Sequence, residues 1–231
     1  MEALPRQISL VDSVYEAIRD SICDGLLKPG ERITQEGIAE RLDVSRQPVG
    51  QALVLLRSQG FIRDAGRRGV MVSPLERQTV QDIYEIRSAL DQLAARLAAE
   101  RANKRLLEDG RRLIGGVREA LDDASTTDLV KADMDFHELI YLHSGNGLIQ
   151  PSLGTYWHHL RRVMAAVIAF GYQRERIWSE HEGILHAIGE GDGDRAADLA
   201  KAHVERASQS LTKTIEDSPP AGADGSGREA S

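Results

Sequence analysis

The chain has one cysteine, Cys23, in 231 residues. A single thiol excludes an internal disulfide and a cysteine-based zinc cluster. Aromatic residues make up only 4% of the chain, so the core must come from Leu, Ile, Val and Ala, a composition that favours helices over a sandwich. No run approaches the roughly 18–20 apolar residues of a membrane span. The first residues, MEALPRQ, lack the charged start and apolar stretch of a secretory signal. The expected setting is a reducing cytoplasm, with no membrane partner.

Signatures of catalysis are also missing. There is no nucleophile-elbow glycine pattern, no phosphate-cradling Gly-rich loop and no reactive cysteine context. His181 and His186 in HEGILH tempt as a zinc-protease pair, but they are five apart, about 140° around a helix. A zinc protease needs four. No histidine has a glutamate three residues before it, as di-iron bundles require. An enzyme is therefore not expected.

What is present begins with charge. The net charge of −7 argues at first against a nucleic-acid partner. Residues 1–75, however, hold ten basic and ten acidic side chains, so the whole negative excess lies beyond them. The front third is neutral and able to gather its arginines on one face.

Leu10, Val14, Ala17, Ile18 and Ile22 recur at helical spacing over 9–25, and Gly25 stops that helix. Thr34 caps a short helix with Ile38, Ala39 and Leu42. Asp43-Val44-Ser45 then leads into a helix over 46–59, capped by Ser45, with Val49, Leu53 and Leu56 on its apolar side. Phe61–Arg63 and Val70–Val72 read as two short strands around a glycine-hinged turn. Three helices with a short link between the second and third, followed by a hairpin, describe a winged helix-turn-helix over 8–73.

Pro74 breaks the chain, and the rest is helical in pattern. Helices are predicted near 76–101, 104–121, 127–143, 147–170, 174–190 and 193–215. Together they form an all-α bundle domain over 76–215, and a Pro/Gly/Ser-rich tail over 217–231 is expected to be disordered. The fold class is mainly α.

The helix opening at Ser45 has the make-up of a DNA reader. Its first turn carries Arg46, suited to bidentate pairing with guanine, and Gln47, suited to adenine or a phosphate. Ser45 and the helix N–H groups suit a phosphate. Thr34, Gln51, Arg67, Arg68 and Gly69 complete the expected DNA-contacting set, the two arginines lying at the wing tip.

All seven histidines fall after residue 75. His137 stands four residues from Asp133 on one helix face, in line with Ile140. His181 lies in the row Ile177, Ile184 and Ile188, and His203 in the row Leu199 and Ala207. Inward side chains on facing helices are how bundles build metal sites. Imidazole with carboxylate suits Zn, Ni, Fe or Mn. The alternative for each histidine is a hydrogen-bonded core residue.

The segments LKPGERI, IAERLDVSRQPVGQALVLLRSQGFI and GRRGVMV resemble the GntR family of bacterial transcription regulators, in the subgroup resembling the fatty-acid regulator. Val44, Ser45, Arg46, Pro48, Val49, Ala52 and Leu53 match its recognition-helix pattern. Asp43 replaces the usual turn glycine, and Gly50-Gln51 replaces the usual Arg-Glu, which implies an operator differing near that contact. DIYEIRSALDQLAARLAA, ADMDFHELIYLHSGN and WSEHEGILHAIGEGDGDRAADLAKAHV resemble its all-helical, FCD-type ligand-binding domain. The resemblance implies a divalent metal on Asp133, His137, His181 and His203. It also implies a small carboxylate effector, for which Arg87 is the first candidate partner and Arg161 and Arg162 the next. A homodimer on palindromic double-stranded DNA, with repression relieved by effector, is expected. The rival reading is a helical dimerisation module with no DNA target.

Overall fold

The computed structural model describes residues 9–66, 69–101, 104–154, 156–169 and 174–217. Arg67 and Arg68, assigned to the wing tip, lie outside these residues, as does the expected tail after Asp217. The chain divides into two compact units, one ending at Leu75 and the other starting at Glu76.

In the first unit, α1 (Leu10–Cys23) opens on a capping box. Ser9 Oγ accepts from the Asp12 N–H at 3.1 Å, and the Asp12 carboxylate accepts from the Ser9 N–H at 3.3 Å. Val14, Ile18 and Ile22 repeat every four residues and are buried, and Cys23 joins them in the core. Strand β1 (Arg32–Ile33) precedes α2 (Gln35–Leu42), which Thr34 caps by accepting from the Gly37 N–H at 3.1 Å. Helix α3 (Arg46–Ser58) buries Val49, Ala52, Leu53 and Leu56 against α1 and α2. Strands β2 (Ile62–Asp64) and β3 (Val70–Val72) follow.

The sheet is three-stranded and antiparallel in the order β1-β3-β2, with Ile33 opposite Val70 and Ile62 opposite Val72. The sequence reading had only two strands. Strand β1 spans two residues, too short for an alternating pattern, and exists because β3 offers it a partner.

Between α2 and α3 the chain turns at Asp43, with φ 51° and ψ 49°. It is the only non-glycine residue at positive φ among the described residues. The left-handed region costs an ordinary L-residue roughly 1–2 kcal/mol, and aspartate is among the few side chains that visit it routinely. This is how Asp43 fills the turn position for which the resemblance implies a glycine.

The second unit is entirely helical among the described residues: α4 (Arg77–Glu100), α5 (Lys104–Ala120), α6 (Thr126–His143), α7 (Ile149–Gly154), α8 (Trp157–Ala169), α9 (Arg174–Gly189) and α10 (Gly193–Asp217). The expected single helix over 147–170 is thus two. Gly154, a poor helix residue, closes α7. Asp217, expected to begin the tail, is the last residue of α10.

The central packing is α4 against α10, with α6 and α9 also on α4. Ala94, Ala95, Ala98 and Ala99 of α4 and Ala196 and Ala200 of α10 are all buried. Small side chains let two helix axes approach closely. Phe136, Ile140, Trp178 and Ile184 fill the adjoining core, which positions the inward faces of α6, α9 and α10 around one point.

Candidate nucleic-acid interface and metal centre

Ser45 stands at the N-cap of α3 with extended backbone, but its hydroxyl makes no capping hydrogen bond, contrary to the expectation. Arg46, Gln47 and Gln51 are exposed. The Arg46 guanidinium pairs with Glu36 in the first turn of α2. That partner was not read from the sequence; the signal was an acidic residue at a helix start, where the backbone dipole favours it. Both side chains are more than half exposed, so water screens the pair and a competing group can claim the arginine.

Gly50 has a structural use. The Gln35 amide crosses from α2 to donate to the Arg46 carbonyl. A Cβ at Gly50 would sit 2.8 Å from Gln35 Nε2, so the glycine leaves the room this bridge occupies. Gly69 is also explained by packing. Its φ is 96°, and a Cβ there would lie 2.7 Å from the Ile33 carbonyl oxygen, so glycine is what lets β3 approach β1. The Thr34 hydroxyl is occupied in capping α2.

In the second unit, Asp133, His137, His181 and His203 come together. One ligand atom from each lies within 4.8 Å of all the others, and all four residues are buried. His181 Nε2 is 3.3 Å from His203 Nε2 and 3.4 Å from Asp133 Oδ1. His137 Nε2 is 3.8 Å from Asp133 Oδ2 and has no hydrogen-bond partner among the described residues. Buried polar atoms are nearly always satisfied. Three imidazoles converging with a carboxylate, with Nε2 of His137 and Nδ1 of His181 lacking hydrogen-bond partners among the described residues, fit a divalent cation of the Zn, Ni, Fe or Mn type.

Carboxylates fix the orientation of two of the three rings. The His203 Nδ1 lies 2.7 Å from Glu180 Oε2, and Arg206 Nε donates to Glu180 Oε1 at 2.7 Å. His137 Nδ1 lies 3.3 Å from Asp91 Oδ2. A carboxylate on Nδ1 holds the proton there and leaves Nε2 with its lone pair free. Burial opposes ionisation of Glu180, but its bonds to His203 and Arg206 prevail and lower its pKa. Burial pushes the pKa of His137 down, and that of His181 well down, so both rings are kept neutral, the form that ligates. Neither Asp91 nor Glu180 was found from sequence. Asp91 stands four residues after Arg87 in a stripe that is apolar apart from this pair, and that spacing was the available signal.

Arg87 is buried on α4, with Nε 3.3 Å from Asp91 Oδ2 and Nη2 4.0 Å from Asp133 Oδ2. Burial works against its charge, yet Asp91, Tyr141 and Asp133 raise its pKa. Asp91 is likewise penalised by burial but held at about 2 by Arg87 and His137. Arg87 Nη2 and the Tyr84 hydroxyl lack hydrogen-bond partners among the described residues. Both residues line a narrow cavity of about 20 Å³ with Asp133, Met164, Ile177 and His203. That is space for about one water. Arg161 and Arg162 are half-buried and buried on α8 and do not line this cavity.

A winged helix-turn-helix followed by an all-helical unit is the architecture of a DNA-binding transcription regulator. Residues 10–72 match the bacterial regulatory proteins of the gntR family, and residues 82–206 match the FCD domain. The chain belongs to the GntR family of bacterial regulators, in the branch that carries an FCD domain. It is 26% identical over 208 residues to the HTH-type transcriptional regulator YdhC of Bacillus subtilis, covering 88% of this chain and 91% of that protein. It is 29% identical over 180 residues to the Nta operon transcriptional regulator of Aminobacter aminovorans, covering 78% and 83%. The HTH-type transcriptional repressor RspR of Escherichia coli is 24% identical over 205 residues, covering 86% and 87%. Among solved structures, Escherichia coli McbR/YncC shares the fold with TM-score 0.74 at 20% identity, covering 90% of this chain and all of that one. A GntR-type regulator from Rhodococcus sp. RHA1 shares it with TM-score 0.72 at 21% identity, covering 88% and 97%. No helix among the described residues is long and apolar enough to cross a membrane.

Proposed function

We propose that the protein is a metal-containing repressor, which binds a palindromic operator as a homodimer and releases it when a small carboxylate effector enters the helical unit. The observation that carries this reading is the convergence of Asp133, His137, His181 and His203 beside Arg87 Nη2 and the Tyr84 hydroxyl, both buried without a hydrogen-bond partner among the described residues. The four ligand residues would hold the cation, which when bound offers its remaining coordination positions to an anionic oxygen. Arg87 supplies the second recognition element, a guanidinium shaped for a carboxylate. The cavity is too small for an organic acid as it stands, so entry must displace Met164 or another wall residue. That gives the effector different affinities for two conformations, without which no ligand shifts an equilibrium. The name of the Escherichia coli relative, a repressor, favours repression over activation.

At the DNA end, Ser45 and the first N–H groups of α3 receive a phosphate, and Arg46 leaves Glu36 for a guanine edge. Such a contact is worth roughly 1–3 kcal/mol of base discrimination. Gln47, Gln51, Thr34, Gly69, Arg67 and Arg68 make up the rest of the proposed contact surface.

The test has two parts. Chelated protein is screened by thermal shift against Zn, Ni, Fe and Mn salts, then against small organic acids. His137→Ala should abolish the metal response, and a retained response overturns the metal assignment. Site selection from random duplexes should return a palindrome, and the acid that stabilises the protein should weaken its binding. Absence of any sequence preference overturns the operator reading.

A further inference from the structure

Arg46 is gripped from two sides by the first turn of α2. The Gln35 amide donates to its backbone carbonyl, and the Glu36 carboxylate pairs with its guanidinium. Thr34 caps that turn and the bend at Asp43 ties α2 to α3, so the fold itself sets the acid beside the arginine. Both side chains face solvent, Glu36 59% exposed and Arg46 66%. Once Arg46 turns to a guanine edge, Glu36 is left without its partner beside the same duplex. Its options there are few. Phosphates repel it. In the major groove guanine offers only acceptors, and thymine an acceptor and a methyl group. Adenine offers N6–H but sets the N7 lone pair beside it. Cytosine presents N4–H with no acceptor on the same base, and a carboxylate accepts from it.

We propose that Glu36 is a specificity residue, which accepts from N4 of a cytosine in the base pair next to the guanine read by Arg46. The proposal rests on the operator reading above and names what the second charged group of that surface recognises. The two side chains touch in the free protein. Successive base pairs stand about 3.4 Å apart, so an acid released by the arginine falls one step away from the guanine. Binding then exchanges one ion pair for two base contacts, Arg46 donating to guanine and Glu36 accepting from cytosine. An exposed ion pair is weak, so the exchange is favourable on the matching bases. On any other neighbour the carboxylate stays unsatisfied in the interface, and the exchange is unfavourable. The guanine contact alone carries no such demand on the adjoining pair.

Site selection from random duplexes with the full chain gives the base profile, and fluorescence anisotropy on the selected duplex gives affinity. The wild type should return a guanine with a cytosine in the adjoining pair, and replacing that cytosine should weaken binding about tenfold. Glu36→Ala should lose the cytosine preference and keep the guanine. Glu36→Gln should exchange cytosine for adenine, whose N6 and N7 an amide pairs bidentately. Glu40→Ala, at an exposed acid on the same helix, should change neither. Thermal unfolding checks that each variant is folded. A cytosine preference that survives in Glu36→Ala overturns the proposal. So does an affinity gain that is equal on all sequences with an unchanged profile, the mark of an acid that only repels phosphate. A wild-type operator with the guanine but no adjoining cytosine overturns this proposal and leaves the operator reading intact. A wild type with no sequence preference overturns both.

Discussion

Glu180 Oε2 lies 2.7 Å from Nδ1 of His203, and the carboxylate's other oxygen is held by Arg206. The glutamate thereby decides which imidazole nitrogen faces the cluster. Glu180→Ala is expected to lower metal affinity by about 10–100-fold without removing a ligand. Glu180→Gln, which still accepts the Nδ1 proton, should lose less. Calorimetric titration of chelated protein with Zn is the measurement, and equal affinities for all three proteins would contradict the positioning role.

Arg87 and Asp91 form an ion pair in which each side chain is only 2% exposed. Removing one partner leaves the other charge buried and uncompensated. Arg87→Ala should therefore destabilise the helical unit by about 3–5 kcal/mol in denaturant unfolding. Replacing the pair together, Arg87→Met with Asp91→Leu, should recover most of that loss. The same double variant should still fail to respond to an organic acid, because it lacks the guanidinium and the carboxylate that orients His137.

At Gly50 two effects oppose each other. Gly50→Ala gains about 1 kcal/mol of helix propensity. It also pushes the Gln35 amide off the Arg46 carbonyl, losing a hydrogen bond of about 0.5–1.5 kcal/mol. Net stability should change by less than about 1 kcal/mol, read by thermal unfolding. Gly50→Arg should alter the selected operator; an unchanged site preference would mean that this position does not face a base.

Acid should weaken the metal-free protein in two stages. Burial lowers the pKa of His137 and His181 below their ordinary 6.5, so the folded state refuses protons that the unfolded chain accepts. Stability then rises with pH through this region, and it falls as pH drops below 6.5. Asp91, at about 2 against an ordinary 3.8, adds a contribution that is complete above 3.8 and disappears as pH falls toward 2. Urea unfolding at stepped pH in the presence of a chelator shows both stages. A flat profile between pH 7 and 5 would be inconsistent with the buried neutral histidines.

Much of this architecture is legible in the chain because its helices announce themselves locally. The Asp133–His137 spacing, the isoleucine row around His181 and the glycine stops all act within a few residues. What escaped was non-local. Strand β1 exists only through its pairing with β3, and Glu36 and Glu180 matter through residues 10 and 23 positions away. The break between α7 and α8 was missed because apolar residues continue across it at helical spacing. Gly50 was read as a lost contact, and its use as clearance for Gln35 appears only once α2 and α3 lie side by side.

Cys23 is the one sulfhydryl in the sequence, and it is 2% exposed in the core of the first unit. Thiol reagents added to the native protein therefore find no reactive target. A cysteine engineered onto a surface position becomes the sole reactive attachment point for a dye or spin label, so its surroundings can be followed as DNA is added without first altering the natural residue.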